Sequence, residues 1–366
     1  MIDFIPLSSY TPVFNFFILF LVVIAAAEGF SGSVFKPETR SFNKVCGAFI
    51  AIAVTLYMGL RPITPYYFGD TINYAISFYN LQIHGHEFTV ASGGEWVFNS
   101  IMLWFAANSD VHIFFLFCAF VYVGALWWAL VRIFKDDYFI PMIVVMSMFT
   151  FWTYGVNGIR NGMASSIIIL AFTFRRNIPV MIGIAILGLG IHKSMALTVC
   201  AGILALFVKK PKLFLYGWLG CIVISLATGN LITDFISNSG LIGDDRFSDY
   251  MTGDTGDTFS HEGFRWDFLL FSAIPVAVGS YFIFKREYTD KFYIWLFNIY
   301  LITNSFWILV IRANFSNRFA QISWFIMPLV LIYPYIMKKF WDDQPRKIGW
   351  AVIVFYLYTF YTYILH

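Results

Sequence analysis

A dozen apolar stretches, separated by polar connections, govern what this 366-residue chain can become. They fall near 11–30, 45–60, 111–134, 138–153, 162–174, 178–191, 194–208, 213–228, 266–284, 292–311, 319–337 and 348–364. A bilayer core takes roughly 20 apolar residues as a helix, and inside it every backbone polar group must find a partner within the protein. Several stretches are shorter than that, so their ends are soft. Together they predict an all-α, polytopic membrane protein of about 12 transmembrane helices, one integral membrane domain over 1–366. The balance of residues agrees: 59% are hydrophobic and only 12% charged, where a soluble globular chain has about 45–50% and 25%. A soluble cytoplasmic enzyme is excluded on that ground. A net charge of +3, with no basic run longer than two residues, also excludes a nucleic-acid partner.

The charges sort the connections into two sets. Lys36, Arg40 and Lys44 lie in the first, then Arg132 and Lys135, Arg175 and Arg176, Lys209, Lys210 and Lys212, Lys285, Arg286 and Lys291, and Lys338, Lys339, Arg346 and Lys347. These 17 of the 24 basic residues fall in every second connection. The positive-inside rule makes those connections cytoplasmic, with both ends of the chain outside. The first stretch lacks a basic region before it and has length enough to stay as a span, so Thr11–Phe30 is expected to be retained rather than cleaved. Glu95–Asn108 is expected as a short helix on or dipping into the outer face, because a thirteenth crossing would invert every later basic loop.

Seven basic residues remain outside: Arg61, Arg160, Lys193, Arg246, Arg265, Arg312 and Arg318. Six are arginine, whereas 11 of the 17 cytoplasmic ones are lysine. The guanidinium fork suits bidentate contact with phosphate; interfacial snorkelling would account for any single one of them but not for the bias. The outer connections 61–110 and 229–265 are long and carry most of the remaining polar chemistry. The first holds Asp70, His84, His86, Glu87 and Glu95; the second holds Asp244, Asp245, Arg246, Asp249 and Tyr250 in an acidic, aromatic-flanked run. That run would fold over a polar substrate or lie solvated at the surface.

Two shorter constellations carry more. Asn157, Arg160 and Asn161 stand at i, i+3 and i+4, one polar stripe if a helix runs through them, and Ser165 extends it. Ionisable groups near membrane depth mark function by default, although a loop cap would use the same residues. His192 and Lys193 end another span after Gly188 and Gly190, and a histidine there is a candidate proton acceptor or a hydrogen-bonded packing residue. In the run Arg312–Phe319, Asn314 and Arg318 are i, i+4, and a break between spans would let Arg312 and Arg318 converge. No P-loop, GxSxG or HExxH pattern occurs, and Asp136–Asp137 reads as a loop. The four cysteines lie in apolar stretches without metal-ligand spacing and read as core residues.

The order of these pieces resembles the O-antigen and exopolysaccharide polymerases of the Wzy and EpsG kind. The likeness runs through Asn157–Leu170, a basic pair, and Ile191–Leu197. It continues in Asp245-Arg246-Phe247 with Tyr250 and in Asn317-Arg318-Phe319, with Asp70 before Tyr74 and Glu95 fitting the first outer loop. The resemblance implies a membrane glycosyltransferase of the GT-C class, acting on undecaprenyl-diphosphate-linked oligosaccharide repeat units at the periplasmic face of a bacterial inner membrane. It implies a flippase and a chain-length regulator as partners alongside membrane lipid. Arg160, Arg312 and Arg318 would then hold the diphosphates and Arg246 would clamp them, with His192, Asp70 or Glu95 as the base. Asn157, Asn161, Lys193, Tyr250 and Asn314 would line the substrate. A donor already activated as a diphosphate needs no nucleotide, metal or other cofactor. An O-antigen ligase shares this donor and differs only in its acceptor; a flippase or transporter would more commonly show internal repeats and midplane polar residues, and none is visible here.

Overall fold

The computed structural model describes residues 2–84, 94–232, 235, 263–313 and 316–365. Among these the secondary structure is helical throughout, with no strand. In chain order the α-helices are α1 (Leu7–Ser31), α2 (Pro37–Gly59), α3 (Pro65–Phe68), α4 (Thr71–His84), α5 (Trp96–Asn108) and α6 (Val111–Phe134). Next come α7 (Phe139–Met146), α8 (Phe149–Val156), α9 (Ile159–Thr173), α10 (Ile178–Ile191), α11 (Met195–Phe207) and α12 (Pro211–Thr228). The series closes with α13 (Trp266–Ser280), α14 (Lys291–Leu309), α15 (Asn317–Trp324), α16 (Met327–Met337) and α17 (Gln344–Leu365).

Among the described residues seven elements are long and apolar enough to cross a membrane: α1, α2, α6, α12, α13 with its π-helical end, α14, and α15 with α16. Three of the expected crossings, α9, α10 and α11, are helices of only 15, 14 and 13 residues. At 1.5 Å per residue each spans roughly 20 Å, short of a hydrocarbon core of about 30 Å. The stretch 138–153, expected as one span, is broken: α7 and α8 bend by 72° at Ser147–Met148. Met148 takes extended angles there (φ −70°, ψ 135°), and the Ser147 hydroxyl turns back to the Ile143 carbonyl at 2.7 Å. No glycine or proline announces that break.

Two compact units divide the chain: Met1–Ala196 with Tyr335–His366, and Leu197–Pro334. In the first, α6 packs against α2 and α9, α9 against α10, and α1 against α17. Phe114 near the start of α6 anchors the connection 61–110. Its ring lies 5.5 Å from Phe78 of α4 and 5.9 Å and 6.0 Å from Phe98 and Phe105 of α5. Phe78, Phe98 and Phe114 are at most 1% exposed, so burial of three aromatic side chains fixes both short helices to the span beneath. The helix expected over 95–108 is α5, and α3 and α4 join it in that connection. Asp110 caps α6, accepting from the amides of His112 and Ile113 at 2.7 and 3.1 Å.

The second unit is organised by polar groups buried in apolar surroundings. Trp218 of α12 donates its indole N–H to Asn304 Oδ1 at 2.8 Å, and Asn304 Nδ2 donates to Ser323 Oγ at 3.0 Å. Trp324 donates to Ser272 Oγ at 2.7 Å. Each bond ties a different pair of helices, and away from water such a group must be satisfied or its desolvation is lost outright.

Candidate functional site

The first unit gathers residues from four helices around one carboxylate. Glu95 stands at the start of α5, Arg160 is the second residue of α9, Tyr74 lies one turn into α4, and His192 follows the end of α10. One oxygen of Glu95 pairs with Arg160 Nη1, and the other meets His192 Nδ1. Arg160 Nε donates to the Tyr74 hydroxyl at 3.1 Å, and its guanidinium lies 5.4 Å and 5.7 Å from the rings of Tyr74 and Phe98. The side chains of Arg160, His192 and Glu95 are 21%, 17% and 14% exposed, a cleft rather than a solvated surface.

Local folding explains why these groups converge. Gly190 lets α10 touch α5: a Cβ there would fall 2.9 Å from Trp96 Nε1 and closer still to Val97. That approach delivers His192, two residues on, to Glu95. Lys193 extends alongside, its Nζ 2.8 Å from where a Cβ at Gly94 would stand. Asn161 Oδ1 accepts from Ser194 Oγ at 3.2 Å, joining α9 to the turn after α10.

Burial pushes the Glu95 carboxyl up, but the hydrogen bond and charge of His192 and the charge of Arg160 together outweigh it, leaving its pKa below the ordinary value. Burial also raises the Tyr74 phenol, with Arg160 pulling in the opposite direction. An ionised carboxylate only accepts, so Nδ1 of His192 carries the hydrogen. In the neutral imidazole Nε2 is the acceptor, and it has no protein partner among the described residues. Arg160 and Lys193 set two cations against the single carboxylate of Glu95. An imidazole oriented by a carboxylate, beside an excess cation, can take a proton and stabilise an anion in one cleft.

Asn157 departs from the expected stripe. It ends α8 with φ −117° and ψ −67°, and α9 starts only at Ile159, so it shares no helix face with Arg160 and Asn161. Its Oδ1 instead accepts from the Asp70 amide at 2.8 Å, against Gly69, whose φ is +49°. Asp70 Oδ1 accepts from the side-chain Nδ2 of Asn73 at 3.2 Å at the start of α4, one turn from Tyr74. Arg61 is no phosphate arm. It is 1% exposed and donates to the carbonyls of Met58 and Val156 at 2.6 and 3.0 Å and to Thr71 Oγ1 at 3.0 Å.

Arg312 and Arg318 belong to the second unit. Arg312 lies in the connection after α14, and Arg318 is the second residue of α15. Arg312 stacks 5.4 Å over Phe264, and its Nε is buried without a hydrogen-bond partner among the described residues. Arg265 is held by Asp267 at 2.7 Å. Arg246, Tyr250 and Asn314 lie outside the described residues. Phe98, which walls Arg160, escaped sequence reasoning; its place one turn after Glu95 was the available signal.

A family model described as the EpsG family matches residues 44–366. The chain belongs to the EpsG family. Glu95, Arg160 and His192 all fall inside the matched region. No curated protein and no solved structure matches the chain.

Proposed function

We propose that this EpsG-family protein is a polysaccharide polymerase that joins undecaprenyl-diphosphate-linked oligosaccharide repeat units into exopolysaccharide or O-antigen. The observation that carries the reading is Glu95, whose two oxygens engage Arg160 and His192 at once. A hydroxyl at the non-reducing end of the incoming unit attacks the anomeric carbon of the growing chain. His192 Nε2 receives the hydroxyl proton as the new C–O bond forms. The bond from that carbon to the diphosphate oxygen breaks, and the diphosphate departs with the electron pair. Arg160 and Lys193 face the negative charge that develops there, and preorganised donors of that kind typically contribute about 10²–10³ in rate each. Glu95 holds His192 in the tautomer that accepts. Arg312, Arg318 and Arg246 are the further candidates for the lipid diphosphates.

In this reading the chain crosses the bacterial inner membrane about 12 times, as a GT-C type enzyme. The cleft opens to the periplasm, supplied by a flippase, with a chain-length regulator setting the product. The test is a reaction of purified protein with synthetic undecaprenyl-diphosphate repeat units, without nucleotide and with EDTA present. A ladder of lengthening lipid-linked glycans, lost in Arg160→Ala and His192→Ala, is expected. Transfer only to a lipid A-core acceptor would make the protein a ligase, and movement of the precursor across liposomes without a ladder would make it a transporter.

A further inference from the structure

The α1–α2 and α16–α17 connections both carry the basic charge that the positive-inside rule assigns to the cytoplasmic side. Within the first unit they enclose a cavity of about 360 Å³. Its polar lining has Arg40, Lys338 and Lys339 against one carboxylate, Asp342. Arg40 is preset for a ligand. Asp137 takes its Nε at 2.6 Å and one terminal nitrogen at 3.0 Å. The other terminal nitrogen has no protein partner among the described residues. Phe35 lies 5.6 Å beneath the guanidinium and steadies its plane. Lys339 meets Asp342 at 2.9 Å, but the two are 70% and 103% exposed, a pairing that solvent weakens and an incoming anion can displace.

The rest of the lining is not what a soluble anion needs. Phe35, Ile336, Met337 and Pro345 make an apolar wall. Gln344 satisfies the backbone of the turn internally, donating to the carbonyls of Tyr335 and Lys338 at 2.5 and 2.9 Å and accepting from the Phe340 amide at 2.6 Å. Those groups therefore do not compete for a ligand. Below, α1 and α17 close on each other: a Cβ at Gly29 would fall 2.7 Å from Gly349 N and Pro345 O. Phe30 and Trp350 meet there at 5.3 Å, and Trp350 is 61% exposed, as an interfacial tryptophan is. Cations above an apolar wall that leads to an interfacial ring match a phosphate headgroup followed by acyl chains.

We propose that this cavity binds the headgroup of an anionic phospholipid, of the phosphatidylglycerol or cardiolipin type, at the basic face of the protein. The full-length protein in detergent is titrated with dioleoyl phosphatidylglycerol or dioleoyl phosphatidylcholine and followed by native mass spectrometry. The anionic lipid is retained in preference, and K338Q/K339Q weakens it about twenty-five-fold, at about fivefold for each cation removed. R40Q/D137N, which removes the guanidinium and its partner together, weakens it as well and decides the matter if the lysine variant does not fold. Excess inorganic phosphate leaves the lipid bound. Equal retention of both lipids, unchanged affinity in a folded variant, or displacement by phosphate alone overturns the proposal. The readout is independent of polymer synthesis, so it stands or falls apart from the catalytic reading.

Discussion

Replacing Glu95 and Arg160 by glutamine, singly and together, probes the centre of the cleft. Two unit charges in contact attract by about 4 kcal/mol at an effective dielectric of 20, and desolvating both takes back much of that. With side chains 21% and 14% exposed, the pair lies closer to the buried limit than to the 0–1 kcal/mol of surface pairs. The double-mutant cycle should therefore return a coupling of about 1.5 kcal/mol, read from unfolding in mixed micelles with increasing SDS. The pH dependence has a definite sign. Because the folded-state pKa of Glu95 is lowered, its stabilisation is present above the ordinary glutamate value. It is lost as pH falls through the folded value. The stability gap between wild type and E95Q should close in acid. Activity should fall further than stability: a glutamine can offer its oxygen to His192 only by turning its amide N–H groups toward Arg160. Loss of the oriented base is expected to slow turnover by about 10²–10⁴. A coupling below about 0.5 kcal/mol, together with E95Q that still makes polymer at the wild-type rate, would refute the reasoning.

Three other substitutions test the scaffold. Gly69→Ala places a Cβ 2.6 Å from Asn157 Oδ1 at a φ of +49°, and should destabilise the first unit by about 1–3 kcal/mol in the same assay. Arg61→Leu strands the buried Met58 carbonyl and leaves Thr71 Oγ1 and the Val156 carbonyl with only the bond between them; a loss of about 3 kcal/mol is expected, and Arg61→Lys should recover only part. Trp218→Phe removes the indole bond to Asn304 and should cost about 1–2 kcal/mol, whereas the same change at the exposed Trp350 should cost far less.

Helix placement was legible where one element explains itself. Apolar length marked α1, α2, α6, α12 and α14, and charge marked the basic connections. Residue type brought Arg160, His192 and Glu95 forward as candidates. Their meeting was not legible, because Glu95 lies 65 residues from Arg160 and 97 from His192, and no periodicity spans such distances. By residue type alone Glu95 is an alternative base; in the fold its two oxygens are taken by Arg160 and His192. The bend between α7 and α8 was hidden because its residues are apolar on both sides, so hydropathy runs straight through it. Asn157 misled for the opposite reason: i, i+3, i+4 spacing means a shared face only if one helix covers all three positions, and Gly158 interrupts it with φ −82° and ψ 52°.

The pairing of α1 with α17 sets a schedule for synthesis. Gly29 and the Asn15 carbonyl wait for partners that come last, Gly349 and the Tyr356 hydroxyl, the latter bond closing at 2.9 Å across 341 residues. At about 5–20 residues per second, roughly a quarter of a minute to a minute separates the emergence of the two helices. For that interval the small-residue groove of α1 is open to lipid or to the insertion machinery. Ribosome stalling late in the message would therefore leave the first unit as a half-finished membrane protein, lacking the helix that completes it.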